Sequence, residues 1–130
     1  MSLATLIAAV RGRHGANGAT VRVRARELGL DSYPELGVLL QFSAVGSRAS
    51  RESLNRLARF GAHSDGRVVV VDLAAHRMTG LRARLGARHA PAVYLLAADG
   101  TVTHHWARPP EEPELENALC ELAERGGVLA

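Results

Sequence analysis

Short apolar runs alternate along the chain with segments of helical spacing. Three runs of strand length contain Val38–Phe42, Val68–Val71 and Val93–Leu96. Between them, residues 48–62 and 75–85 place apolar side chains at helical spacing, with arginines on the opposite face. Strands that alternate with helices in this way predict an α/β sandwich with a mixed central sheet.

The N-terminal part predicts a small addition to this domain. Residues 2–11 have the pattern of an amphipathic helix, and a glycine-rich loop follows. Residues 20–24 alternate with period two, which predicts an edge strand, and residues 25–30 predict a single helical turn. We therefore expect an N-terminal helix and loop over 1–19 and the main domain over 20–130.

The C-terminal half predicts a hairpin and a closing helix. Asp99–Gly100 is a hairpin turn that leads into a return strand over 102–106. A helix is expected over 115–124, with Cys120 as a small buried residue. The strand over 67–72 is so uniformly apolar that we expect it at the centre of the sheet, covered on both faces.

Charge is distributed unevenly. All 16 basic residues are arginine, which indicates the coding bias of a GC-rich bacterial genome. Residues 1–110 carry 15 Arg against seven acids, whereas residues 111–130 carry one Arg against six Glu. The arginines are scattered and aromatic residues make up only 4% of the chain. This pattern predicts a solvated basic surface with an acidic last helix, and no nucleic-acid partner.

A single cysteine excludes an intramolecular disulfide framework. The apolar run Leu3–Val10 is too short to cross a bilayer, which needs about 20 residues. We therefore expect a cytoplasmic protein without membrane contact. The arginines at 11 and 13 leave one alternative open, a membrane tether whose anchor precedes the present start.

One stretch carries a recognisable motif. Phe42, Ala44, Ser47, Ser50 and Arg51 fall on the pattern F-x-A-x-x-C-x-x-C-[KR], with serine at both cysteine positions. This arrangement resembles the thioredoxin family, in which the motif follows a central strand and opens a helix. The resemblance implies a thioredoxin-like three-layer sandwich, extended here by the N-terminal helix.

The family's second landmark is a cis-proline just before the next strand. Ala90-Pro91-Ala92 stands at that position, so the resemblance implies a cis bond between Ala90 and Pro91. In the family, the residue before this proline pairs its backbone with an extended substrate peptide. That mode of capture does not need a thiol.

The two serines exclude the family's redox chemistry, because a hydroxyl forms no disulfide and is not a thiolate nucleophile. Gln41 replaces the buried acid that many thioredoxins have. Ser47 is expected to cap the following helix. We predict no catalytic residue and no cofactor. We also predict no metal site, because His104 and His105 are adjacent on a strand and their side chains point to opposite faces. A histidine acting as a base on Ser47 would have to be His89.

Two binding sites follow from the resemblance and from the charges. A peptide site is expected beside the proline, formed by Arg48, Ala49, Ala90, Pro91 and Arg108. An anion site at the helix N-terminus would use Ser47, Arg48, Ser50 and Arg51. The peptide groove should be cationic and prefer an acidic extended segment. The acidic tail that starts at Glu111–Glu112 could supply one from a second copy and give a weak homodimer.

The sequence predicts a redox-inactive thioredoxin-like module that binds a protein or peptide partner. Two alternatives stay open. The chain could be a thiol-disulfide oxidoreductase whose two cysteines were changed to serine, or a binder of a small anion near Ser47–Arg51. The sequence does not identify the partner.

Overall fold

The computed structural model describes residues 21–126, so the predicted N-terminal helix and the boundary after residue 19 lie outside the described part. In the described part, four strands alternate with three α-helices. In chain order they are β1 (Gly37–Ser43), α1 (Arg48–Ala62), β2 (Val68–Ala74), α2 (Thr79–Leu85), β3 (Ala92–Ala97), β4 (Val102–Trp106) and α3 (Glu112–Gly126). Two short 3-10 helices cover Ala25–Leu28 and Ala75–Arg77.

The sheet has the order β2-β1-β3-β4. β1 runs parallel to β2 and antiparallel to β3, and β3 forms an antiparallel hairpin with β4, so the predicted mixed sheet is confirmed. The expectation that the 67–72 strand lies at the centre is wrong. β2 is an edge strand of the described sheet, with Val69 and Val70 only partly buried and Asp72 exposed. An apolar run indicates contact on both faces, but it does not determine how many neighbouring strands there are.

Alternate side chains of the central strands enter two separate cores. On one face, Leu40 and Tyr94 pack with Leu81 of α2. On the other face, Leu39 packs with Leu57 of α1, in the core to which α3 contributes Leu115, Ala118 and Leu122. Helices therefore cover both faces of the sheet, which gives three layers.

The predicted edge strand over 20–24 is wrong for the residues that the structure describes. Arg22 makes only an isolated antiparallel bridge to Thr101, beside the β3–β4 turn. The Val23 N–H donates to the Gly100 carbonyl oxygen (2.9 Å). At Arg24 the chain turns into the first 3-10 helix, so the pairing ends before a strand can form.

Gly100 permits this approach. It has φ +86°, and a Cβ there would lie 2.2 Å from the Val23 carbonyl oxygen. The hairpin turn itself lies where the Asp-Gly pair predicts it.

Two predicted helices have different bounds in the structure. The 75–85 segment is divided at Met78, whose φ of −117° and ψ of 42° are not helical. Thr79 and Gly80 follow there, and both have low helix propensity. The last helix begins at Glu112 rather than at 115, because Pro113 is tolerated in a first turn, where backbone N–H groups have no helical partner.

Cys120 is exposed on α3, so the expectation that it is buried is wrong. The buried stripe of this helix runs through Leu115, Ala118, Leu122 and Ala123. Cys120 lies two residues after Ala118 and therefore points away from that stripe.

The close approach of β1 and β3 generates a test of the register. A Cβ built at Gly37 would lie 2.2 Å from the Leu96 carbonyl oxygen. We expect Gly37→Ala to lower the free energy of unfolding in urea by about 2–3 kcal/mol, because a backbone atom cannot move aside cheaply. The control Gly80→Ala adds its Cβ in open space within α2 and should stabilise by about 0.5–1 kcal/mol. Equal stability of the two variants would contradict this register.

Candidate functional site

Loops from all four strands meet at one end of the sheet. β1 ends at Ser43, which is opposite Ala74 at the end of β2. Phe42 pairs with Ala92 at the start of β3, so the loop that contains Ala90 and Pro91 leaves the sheet beside the end of β1. Val93 pairs with Trp106, which brings the segment after β4 to the same end. The sheet thus gathers the predicted peptide-site residues at one end. We call residues 43–51 the serine corner.

Ser47 is the N-cap of α1, as predicted. Its backbone is extended (φ −79°, ψ 121°), and its Oγ accepts a hydrogen bond from the Ser50 backbone N–H at 3.1 Å. Its carbonyl oxygen accepts from the Arg51 N–H at 3.2 Å. The hydroxyl therefore satisfies an N–H that has no partner within the helix.

Ser50 has only 2% of its surface exposed. Its Oγ accepts a hydrogen bond from the Ala44 backbone N–H at 3.0 Å. It therefore holds the loop between β1 and α1 against the first turn of the helix. Ser50 also lines the small cleft beside Ser47 and Arg51, and its role in the predicted anion site stays a prediction.

The amide of Gln41 is fully buried and has a partner for each polar group. Its Nε2 donates to Ser43 Oγ (2.8 Å) and to the Ser50 carbonyl oxygen (2.9 Å). Its Oε1 accepts from Ser53 Oγ at 2.6 Å. The network therefore fixes the end of β1 to the first two turns of α1 with no titratable group at its centre.

The network continues to the neighbouring strand. Ser43 Oγ accepts from Gln41 and donates to the Asp72 carboxylate on β2. The hydrogen bonds therefore run in one direction, from the buried amide through a hydroxyl to an exposed carboxylate.

Sequence reasoning missed Ser43, Ser53 and Asp72. One feature of the sequence could have indicated this network. Side chains alternate between the two faces along β1, so Gln41 lies on the same face as Leu39, towards α1.

The arginines of the predicted peptide site already have carboxylate partners. Arg48 lies 3.8 Å from Glu52, one helical turn away, and both side chains are well exposed. Arg108 lies 3.3 Å from Glu114. Solvent-exposed pairs of this kind contribute little energy, so both arginines could exchange these carboxylates for others. Arg51 and Arg88 are exposed and make no salt bridge with a described residue.

The surface of the serine corner is partly apolar. Val45 is 80% exposed, and it is the only large hydrophobic residue of the described part with such exposure. It lines a cleft of about 270 Å³ together with Leu54, Arg51 and Asp72. The cleft lies on the β2 side of the corner, whereas the predicted peptide groove lies on the β3 side. Val45 therefore gives the serine corner an exposed apolar contact.

The loop before β3 has the predicted backbone. The Ala90–Pro91 peptide bond is cis. Ala90 and Pro91 are partly buried, and His89 is exposed. No described histidine hydrogen-bonds to Ser47, whose Oγ accepts from the backbone instead. In the described residues, Ser47 therefore has no histidine in hydrogen-bond contact to act as its base.

Metal-ligand clusters and membrane-spanning helices are both absent from the described part of the chain. Residues 21–126 contain no group of three or more His, Cys, Asp or Glu side chains that could hold a metal ion. His104 and His105 face opposite sides of β4, since His105 stacks on Tyr94 and His104 on Trp106. No helix within the described range has the length and apolar character to cross a membrane.

Known proteins resemble this chain in structure and not detectably in sequence. No protein-family model matches it, and no curated protein does. Thioredoxin-2 of the malaria parasite, described as a component of its protein secretion machinery, superposes with a TM-score of 0.59 at 13% identity, covering 66% of this chain and 82% of its own. Another malarial protein gives 0.59 at 13% identity, with 66% and 96% covered. Deadhead, a germline-specific thioredoxin of Drosophila melanogaster, gives 0.57 at 18% identity, with 68% and 82% covered.

The chain has a thioredoxin-like fold. This confirms the fold class that the motif predicted. At such low identity the likeness establishes the fold alone. In this thioredoxin-like frame, the positions on the cysteine pattern are held by an N-cap serine and by a buried serine bonded to the loop backbone.

The buried amide generates a prediction of pH dependence. Gln41→Glu places a carboxyl in a fully buried position, which raises the pKa of that carboxyl above its unfolded value. Stability is then retained at low pH and lost as the pH rises through the raised pKa. We expect the variant to lose about 2 kcal/mol of unfolding free energy between pH 5 and pH 8, relative to wild type, in urea titrations.

The control for this prediction is Asn55→Asp, the same amide-to-acid change on the exposed face of α1. Its stability relative to wild type should be flat over this range, because an exposed carboxyl keeps its ordinary pKa. A flat profile for Gln41→Glu would show that the position is not sealed from water.

Proposed function

We propose that this protein is a redox-inactive thioredoxin-like module that binds a protein or peptide partner at the end of the sheet where the serine corner lies. One observation carries the proposal. Both serines of the motif use their hydroxyls to hold backbone N–H groups, so the corner is a rigid scaffold rather than a reactive centre.

The serine corner has no pair of cysteine thiols for disulfide exchange. Disulfide exchange requires a thiolate, and an intramolecular disulfide requires a second cysteine. Cys120 is the only cysteine of the chain, and it lies on α3, outside the serine corner. The preserved frame therefore supports a function that depends on shape and surface, which is binding.

Two features of the corner support peptide capture. Ala90 precedes the strand that pairs with β1, and its backbone could pair with an extended segment whatever its side chain. Val45 offers an exposed apolar side chain beside a cleft that could take a small aliphatic group. An extended peptide that crosses the corner would meet backbone donors and acceptors on one side and apolar surface on the other.

The charge around the corner favours an acidic segment, although less strongly than the sequence predicted. Arg51 and Arg88 make no salt bridge with a described residue, while Arg48 and Arg108 would exchange one carboxylate partner for another. Bidentate arginine–carboxylate contacts would then add to backbone pairing. We propose a cationic groove formed by Arg48, Ala49, Ala90, Pro91 and Arg108.

Residues 111 and 112 lie at the start of a helix rather than in an extended segment. Glu112 begins α3, and the Leu115 N–H donates to the Glu111 carbonyl oxygen at 3.1 Å. Glu111–Glu112 is therefore not an extended strand that a second copy could capture without unwinding the helix. Weak self-association stays a prediction, which light scattering at increasing salt concentration can test.

The anion alternative is weaker than the peptide proposal. Ser50 is only 2% exposed, and the hydroxyls of Ser47 and Ser50 already accept backbone N–H groups, so the two arginines Arg48 and Arg51 would supply most of the contacts to an anion. The alternative of a cysteine-bearing oxidoreductase whose cysteines were changed to serine shares the same fold, and the parent coding sequence would distinguish it from the proposal.

The redox part of the proposal can be tested by insulin reduction. The protein should give only the background rate with dithiothreitol or thioredoxin reductase, since a hydroxyl cannot carry the exchange. The positive control is Ser47→Cys combined with Ser50→Cys, which should oxidise to an intramolecular disulfide, because i and i+3 positions at a helix start lie within disulfide reach. Turnover by the serine protein above the no-protein rate would overturn the proposal.

The binding part can be tested with a panel of extended peptides that differ in charge, titrated by NMR. Acidic peptides should bind and basic ones should not. Val45→Ser should weaken binding by about tenfold through lost apolar contact. Arg59→Ala, an exposed change at the far end of α1, is the control and should have no effect. If Val45→Ser and Arg59→Ala bind equally well, the corner is not the docking surface.

A further inference from the structure

A second cleft lies at the other end of the molecule, beside the turn between β3 and β4. Its volume is about 850 Å³, and four of its lining residues are arginines against two carboxylates. The arginines are Arg22, Arg24, Arg26 and Arg84, and the acids are Glu27 and Asp99. We call these six residues the arginine cleft. The serine corner contributes none of them.

Both carboxylates of the arginine cleft are engaged by protein groups. Glu27 Oε2 accepts from the Arg24 backbone N–H at 2.8 Å, and its Oε1 accepts from Arg84 Nη1. The backbone hydrogen bond is the main cause that lowers the pKa of Glu27. Asp99 Oδ1 accepts from the Thr101 N–H at 2.9 Å, which lowers its pKa as well. Both acids therefore already have hydrogen-bond partners within the protein, and Glu27 attracts Arg24 without forming a salt bridge with it.

Two hydrogen bonds hold the guanidinium of Arg84 in place. Its Nη2 donates to the Arg22 carbonyl oxygen at 2.7 Å, and its Nη1 donates to Glu27. A guanidinium has five N–H donors, so others remain, and the side chain is 47% exposed. Because these two hydrogen bonds already fix the planar guanidinium, Arg84 would lose little further side-chain entropy when a ligand binds.

The remaining three arginines of the cleft are less tightly paired than Arg84. Arg24 and Arg26 are exposed and make no salt bridge with a described residue. Arg22 faces Asp99 only at 3.7 Å, with both side chains largely in solvent. The cleft therefore offers one oriented and three adaptable guanidinium groups with an excess of positive charge.

We propose that the arginine cleft binds an oligophosphate group. Several guanidinium forks around one concave site match the oxygens of linked or clustered phosphates, each of which can accept paired N–H donors. The cleft has the size of a small-molecule site, and its charged lining argues against an apolar ligand. Such a group could belong to a soluble oligophosphate or to a phosphorylated lipid headgroup. The proposal stands independently of the peptide function.

The test is isothermal titration of the full chain with inorganic tripolyphosphate, at low and at near-physiological salt. Wild type should bind, and Arg24→Ala combined with Arg26→Ala should lose about tenfold in affinity or more. Both side chains are exposed, so circular dichroism should show an unchanged fold. The control is Arg59→Ala combined with Arg77→Ala, which removes the same charge from exposed positions outside the cleft.

Three outcomes decide the matter. Binding that the cleft variant loses and the control keeps supports the proposal and indicates a soluble ligand. If tripolyphosphate binds weakly while vesicles with phosphoinositide bind strongly, and the cleft variant abolishes that binding, the phosphate group is a lipid headgroup. If neither probe binds, or if the control variant loses as much affinity as the cleft variant, the site is only part of a diffuse basic surface and the proposal is overturned.

Discussion

A buried primary amide that has no access to water must find every hydrogen bond within the protein, and this constraint organises the serine corner. The Gln41 Nε2 donates to Ser43 Oγ and to the Ser50 carbonyl oxygen, and the Gln41 Oε1 accepts from Ser53 Oγ. Losing any partner would leave a buried polar atom unpaired, at a cost of about 1–3 kcal/mol. The amide therefore fixes the loop between β1 and α1, and with it the position of the exposed residues around that loop.

The thiol-free corner fits this arrangement. A neutral amide and neutral hydroxyls can be satisfied at any physiological pH, whereas a carboxyl at the position of Gln41 would add a proton equilibrium inside the core. Ser47 and Ser50 complete the arrangement by bonding to backbone N–H groups. The residues exposed at this end of the sheet include Val45, Arg48 and Arg51, and the proposed binding function rests on such groups.

Much of the fold could be predicted from the sequence, because buried strands and amphipathic helices leave strong periodic signals. The bounds of β4 and α1 agree with the pattern, and the motif located the serine corner. Sheet position could not be predicted, since an apolar run such as Val68–Val71 looks the same at an edge as at the centre. Salt-bridge partners were also hidden: Glu114 reaches Arg108 only because α3 begins at Glu112, before its apolar stripe.

The most direct measurement of the central claim is native-state hydrogen exchange of the Ala44 amide. This residue follows β1, and Ser50 Oγ accepts its N–H. If the corner is the fixed network described above, Ala44 should exchange as slowly as the strand amide of Phe42, and far more slowly than its exposed neighbour Val45. Exchange of Ala44 at the rate of Val45 would contradict the account, because it would show a loop that opens without disturbing the sheet.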